Sequence, residues 1–300
     1  MQDCRFDCVT IIGVGLLGAS LGLALKQRSL AGRIIGVGRA GSDSLPIALQ
    51  RQAIDIAQTD PAPAVREASL VVLAVHIGQF PAIFERIAEA LPSGALVTDV
   101  GSTKTQVMHW ATKRLPIHVD FIGSHPMAGS EKRGPQFARP DLFENAVCLV
   151  CPPPIHARGP RTGQRVESAT NRVEALWRAI GMKTHRLDAR RHDQWVAAVS
   201  HLPHAVAAAL VLAASETPQA LSAIAGGFLD TTRIASADPV IWTDIFLTNK
   251  PAVINQLTVF IRRLRTLQTA IRRDDHDVVA DLLQQAKTTR DTLANNRNPG

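Results

Sequence analysis

Short β-branched apolar runs alternate with amphipathic stretches over the first half of the chain. Val9–Ile12, Ile34–Val37, Leu70–Val75, Leu96–Asp99, Phe121–Gly123 and Ala146–Cys151 have the length and residue types of buried strands, and helix-period segments fill most of the gaps. That alternation predicts an α/β domain built on a parallel, doubly wound sheet. Pro152-Pro153-Pro154 through Gly163 is a breaker-rich loop, and a helix (Gln164–Ile180) and a strand (Lys183–Leu187) then complete the same unit. Beyond Asp188 the pattern changes to long alanine- and leucine-rich segments without strand alternation. The expected division is therefore 1–187, an α/β domain, and 188–300, an all-helical domain. Pro251–Arg273 and Asp275–Asn295 read as long helices whose apolar faces need a partner, which points to a homodimer.

Composition narrows the classes. With 46% hydrophobic and 20% charged residues, a chain of 300 residues has enough apolar material for two cores, so disordered and fibrous classes are excluded. No stretch reads as a membrane span, and Met1–Asp7 has no basic segment of a targeting signal; a cytoplasmic protein without a membrane partner is expected. The net charge of +7 is spread along the chain and aromatics are only 4%, which argues against nucleic acid and for anionic small molecules. The four cysteines, Cys4, Cys8, Cys148 and Cys151, are expected to be reduced and buried, with no metal site.

Gly13-Val14-Gly15-Leu16-Leu17-Gly18 follows the first strand and opens an apolar helix, the setting in which this glycine spacing binds a dinucleotide. The glycines permit a tight turn and close approach of a pyrophosphate, and the helix N-terminus supplies N–H donors. The first domain is thus of Rossmann type, with Gly13, Gly15, Leu16, Leu17 and Gly18 at the cofactor and Val75, ending another strand, beside them. After the second strand stands Gly38-Arg39 in place of a carboxylate. Arg39, helped by Ser42 and Ser44, suits a 2′-phosphate, so NADP is favoured over NAD, although Arg39 could equally stack on adenine and Asp43 lies close by.

Four more segments carry polar residues that packing does not require. Asp99-Val100-Gly101-Ser102-Thr103-Lys104 and Gly123-Ser124-His125-Pro126-Met127-Ala128-Gly129-Ser130-Glu131 each follow a strand, where α/β sheets place ligands. Further on, His192-Asp193 leads into Ser200-His201-Leu202-Pro203-His204, and Gly226-Gly227-Phe228-Leu229-Asp230-Thr231-Thr232-Arg233 follows. In this order the motifs resemble the prephenate/arogenate (cyclohexadienyl) dehydrogenase family over roughly residues 9 to 260.

The resemblance implies a nucleotide-binding domain joined to a helical dimerisation domain. It also implies NAD(P)-dependent oxidative decarboxylation of prephenate to 4-hydroxyphenylpyruvate, of arogenate to tyrosine, or of both, within tyrosine biosynthesis. His125 matches the family's catalytic base, and an imidazole that is neutral near pH 7 suits removal of a hydroxyl proton. Ser102 matches the serine at the same hydroxyl. Arg233 matches the arginine that holds a substrate carboxylate, with Asp230 as a possible orienting neighbour, and His204 a histidine near the substrate side chain. Ser130, Glu131 and Trp242 match residues at the site or its entrance. His201 aligns with a structural histidine, and His192-Asp193 reads as support in the core. Pro203 is expected to kink the helix between His201 and His204.

No segment resembles a regulatory ACT domain or a chorismate mutase, so a monofunctional enzyme is expected. A β-hydroxyacid dehydrogenase would need a lysine that is missing between Lys183 and Lys250. An arogenate-specific enzyme and a non-catalytic NADPH-binding sensor stay open as alternatives.

Overall fold

The computed structural model describes residues 4–129, 132–154 and 163–297. Eight strands form one sheet: β1 (Phe6–Ile12), β2 (Ala31–Val37), β3 (Ile56–Gln58), β4 (Leu70–Leu73), β5 (Leu96–Asp99), β6 (Asp120–Pro126), β7 (Val147–Cys151) and β8 (Lys183–Arg186). Their spatial order is β3-β2-β1-β4-β5-β6-β7-β8. The helices that cover them are α1 (Leu16–Gln27), α2 (Ser44–Gln50), α3 (Pro61–Ala64), α4 (Phe80–Ile87), α5 (Thr105–Arg114) and α6 (Gly163–Ala179).

Successive strand residues face opposite sides, and here both sides are covered. Val9 and Ile11 of β1 pack into a cluster with Leu21, Ala24 and Leu25 of α1 and Leu176 and Trp177 of α6. Cys8 and Ile12 enter the other cluster, with Phe80 and Phe84 of α4 and Val107 and Ala111 of α5. Each fully buried side chain of this kind contributes roughly 1.5–3 kcal/mol, which is why the strands read as unbroken apolar runs. Cys8, Cys148 and Cys151 are buried and Cys4 is half-buried, all as free thiols. Burial pushes the Cys151 thiol up to about 12, which keeps it protonated and inert.

The sheet departs from the sequence expectation in three places. The all-parallel arrangement holds only as far as β6, because β7 runs antiparallel to it and β8 parallel to β7. Among the described residues, the β6–β7 connection has only the 3₁₀ turn Pro135–Phe137, and an antiparallel pair needs no crossover helix. Pairing with β7 also lengthens β6, so that His125 lies within the strand, opposite Leu149, rather than after it. The three-residue edge strand β3 is too short to announce itself in a hydrophobic pattern.

From Asp188 onward the described chain is helical: α7 (Ala189–Val196), α8 (Leu202–Ser215), α9 (Gly226–Thr232), α10 (Pro239–Thr248), α11 (Lys250–Arg272) and α12 (His276–Arg297). Asp188 caps α7 by accepting from the Arg191 N–H at 2.9 Å. Between α7 and α8 the helix widens into a π-helical turn, Ala197–His201, directly before Pro203. Proline lacks an N–H and crowds the preceding turn, so the irregularity sits where Pro203 was expected to bend the chain.

The run Ala189–Ser215 corrects another expectation, since its 27 residues are long and apolar enough to cross a membrane by length and composition. Three of the polar residues within it, His192, Asp193 and His201, are nevertheless buried in the fold. By packing, the chain divides into two units, residues 1–250 and 251–300. Asp188 lies inside the first, because α7 and the π-helical turn bury Val196 and Ala197 there and Asn249 donates to the Asp193 carbonyl at 2.8 Å.

Candidate active site

The candidate residues collect along one edge of the sheet, the carboxyl ends of β1, β2, β4, β5 and β6. In β3-β2-β1-β4-β5-β6 the order reverses between β1 and β4, and the crevice at such a switch point is where open α/β sheets bind ligands.

The glycine turn fits a dinucleotide. Gly13 has φ +101°, and a Cβ there would lie 2.4 Å from the Ala74 carbonyl oxygen and 2.7 Å from Val75 Cγ1. A Cβ on Gly18 would lie 1.9 Å from the Gly13 carbonyl oxygen, so only glycine lets α1 start this close to the strand. Gly15 meets nothing within 4 Å, leaving an open face where a pyrophosphate can approach backbone. Among the described residues no side chain caps α1, so the N–H groups of its first turn, Leu16 and Leu17 among them, are open to an anion. Arg39 is exposed just past β2, and no ion pair engages it among the described residues. Ser42 and Ser44 share a hydroxyl hydrogen bond of 3.0 Å nearby.

The chemical cluster is built from β5, β6 and α7. Asp99, ending β5, accepts from the Gly101 N–H at 2.8 Å and the Ser124 N–H at 3.0 Å, and pairs with Lys104 Nζ at 2.6 Å. Lys104 also donates to the carbonyls of Gly101 and Thr103, which folds the loop carrying half-buried Ser102 around a fully buried ion pair. His125 Nδ1 lies 2.9 Å from His192 Nε2, and His192 Nδ1 lies 2.9 Å from Asp193 Oδ1. Asp193 in addition accepts from the Lys104 N–H at 2.8 Å and the Thr105 N–H at 2.9 Å, capping α5 from a distant part of the chain.

Burial drives His125 well below the ordinary imidazole range, with His192 and Lys104 adding to the shift. His192 is lowered in the same way. Burial pushes the Asp193 carboxyl up, but hydrogen bonds from His192 and Thr105 outweigh it and hold Asp193 below its usual range. The site therefore presents neutral imidazoles beside an ionised carboxylate at pH 7.

A second group forms around α8 and α10. The His204 ring stacks on Trp242 with centroids 3.3 Å apart and planes 21° apart, and its Nδ1 faces the Ser200 carbonyl at 3.1 Å. Burial first, and then the nearby charge of Arg233, lowers its pKa, which places the guanidinium within electrostatic reach of His204. His201 is buried beside Asn249 at 3.2 Å and is pushed down to about 4 by burial. Arg233 is exposed in the 3₁₀ turn after α9, and no ion pair joins it to the exposed Asp230. Ser130 and Glu131 lie outside the described residues.

Sequence reasoning included Lys104 in a motif without giving it a role, did not single out Asn249, and took His192-Asp193 as core support without seeing its contact with His125. The available signal was an aspartate ending a strand with a lysine five residues on, in an otherwise apolar domain.

Relatives carry the same architecture. Residues 21–176 match the nucleotide-binding domain of prephenate dehydrogenase and residues 188–285 its dimerization domain. A prephenate dehydrogenase of Bacillus subtilis is 33% identical over 96% of this chain and 76% of its own length. Among solved structures, Aquifex aeolicus prephenate dehydrogenase in complex with hydroxyphenyl propionate and NAD+ has a TM-score of 0.86 at 30% identity, covering 96% of this chain and 98% of its own. Synechocystis arogenate dehydrogenase reaches a TM-score of 0.79 at 29% identity, covering 95% of this chain and 99% of its own. With both domains matched in order and a relative 33% identical aligned along 96% of this chain, the chain belongs to the prephenate dehydrogenase family.

Proposed function

We propose that the chain oxidises and decarboxylates prephenate, arogenate or both with NAD(P), with His125 as the base. The observation that carries this reading is a neutral buried imidazole on β6, at the same sheet edge as the glycine turn after β1. The glycine turn would hold the pyrophosphate of the dinucleotide, which would supply the hydride acceptor for the ring carbinol. His125 takes the hydroxyl proton, Ser102 hydrogen-bonds and orients that hydroxyl, and loss of the ring carboxylate as CO2 aromatises the product.

Arg233 holds a substrate carboxylate, a bidentate task suited to guanidinium. His204, steadied by Trp242, contacts the substrate side chain, with Asp230 as the orienting neighbour of Arg233; Ser130 and Glu131 are assigned to substrate binding by the family resemblance alone. His204 is not acidic and so offers no partner to the ammonium of arogenate, which favours prephenate. Arg39 with Ser42 and Ser44 favours NADP, whose 2′-phosphate they would hold; Val75 supports the turn. The enzyme acts in the cytoplasm as a homodimer through its helical part, 188–300, with nucleotide binding assigned to 1–187.

Initial rates of reduced-cofactor formation from prephenate or arogenate with NADP or NAD test the proposal. The highest rate is expected with prephenate and NADP. Silence in all four combinations overturns the catalytic reading and leaves a nucleotide-binding sensor.

A further inference from the structure

We propose that His192 and Asp193 form a proton relay behind His125, fixing which of its ring nitrogens is the base and carrying the proton away from the substrate. The inference rests on the reading of His125 as base and adds two positioning residues to it.

The tautomers follow from the hydrogen bonds. An ionised carboxylate only accepts, so the 2.9 Å contact of Asp193 Oδ1 with His192 requires hydrogen on His192 Nδ1. Neutral His192 then has a bare Nε2, and the 2.9 Å contact with His125 Nδ1 requires hydrogen on that nitrogen. His125 Nε2 is left with its lone pair, ready to accept. When Nε2 takes the substrate hydroxyl proton, the O–H electron pair moves into the forming carbonyl. His125 passes its Nδ1 proton to His192 Nε2. His125 ends neutral with hydrogen on Nε2, and the positive charge rests on His192 against Asp193.

The surroundings oppose a positive charge left on His125 itself. The charge of Lys104 acts against it, and the Asp99 carboxylate nearby is already engaged by Lys104. Buried Cys148 in β7 is a thiol held protonated and offers no counter-charge. The charge is best balanced one ring further on, at His192, whose hydrogen-bonded carboxylate among the described residues is Asp193. The two N–H groups of Lys104 and Thr105 fix that carboxylate in place.

The first test uses the unmodified protein. Long-range ¹⁵N–¹H spectra of histidine-labelled enzyme at neutral pH should show both His125 and His192 with hydrogen on Nδ1. Hydrogen on His125 Nε2 would overturn the relay, whether or not the protein turns over substrate.

The second test is D193N, whose amide can donate to His192 Nδ1 and so invert both rings. A drop in kcat of about 10² to 10⁴ is expected, with KM nearly unchanged and the ¹⁵N pattern reversed. The acid limb of kcat/KM should move to lower pH, because the carboxylate that stabilises the protonated pair is gone. Wild-type kcat and pH profile in D193N, alongside an inactive H125N, would sink the relay and leave the base intact; equal activity in H125N and wild type would sink the base.

Discussion

A single imidazole carries most of the proposed chemistry, so its replacement is the sharpest test at the residue scale. In H125N the side chain keeps a hydrogen-bonding group but no base, and kcat should fall by about 10² to 10⁴ with circular dichroism unchanged; near-wild-type turnover would remove His125 from the mechanism. Arg39 decides a different question. If it holds a 2′-phosphate, R39A raises KM for NADP by roughly 10- to 150-fold, the worth of a charged hydrogen bond, and hardly changes KM for NAD. Equal effects on both cofactors would assign Arg39 to adenine. Ser102 and Arg39 were legible because each follows a strand inside a local motif, and His125 because it sits in a polar motif at the end of one. The bond from His125 to His192 was not, since 67 residues separate them and only the fold brings them together.

At the scale of elements, the joint between β1 and α1 was readable because all its determinants are local. An apolar strand, three glycines at fixed spacing and an apolar helix specify the turn without help from the rest of the chain. Its tolerance is correspondingly small. In G18A the new methyl meets the Gly13 carbonyl 1.9 Å away, so α1 must shift off the turn. A displacement of that kind should lower kcat/KM on the order of 10²-fold and weaken cofactor binding by titration calorimetry, while G15A, which meets nothing, stays milder. Comparable cofactor affinity in both variants would mean that the pyrophosphate does not sit on this turn. The reversal of β7 and the extension of β6 around His125 escaped the pattern for the opposite reason, because strand direction is set by partners far along the chain. The π-helical turn before Pro203 likewise replaces the simple kink that proline alone suggests. It carries His201 to a buried position beside Asn249, while His204 stays half-buried against Trp242.

For the whole molecule, the buried histidines link stability to pH. His201 titrates at about 4 in the fold against the ordinary 6.5, and His125 and His192 are lowered as well. Between those values the unfolded chain binds more protons, so the stability is fully present above about 6.5 and is lost as pH falls through about 4. His201 alone accounts for on the order of 3 kcal/mol, and a urea midpoint that stays flat from pH 7 to 4.5 would contradict it. Apolar surface gives the last expectation. On α11, Ile254, Ile261, Leu264 and Ile271 are exposed at spacings of seven, three and seven, a single stripe along the helix, and Leu210, Val211 and Leu212 are exposed on α8. Covering such faces with a second copy removes them from water. Light scattering should then give twice the mass of one chain, and the thermal midpoint should rise with protein concentration, because association stabilises the folded state by mass action. I261D places a charge in the stripe and should shift the mass toward one chain without abolishing cofactor binding. A monomeric mass for the unmodified protein would refute the dimer and leave the stripe without its partner.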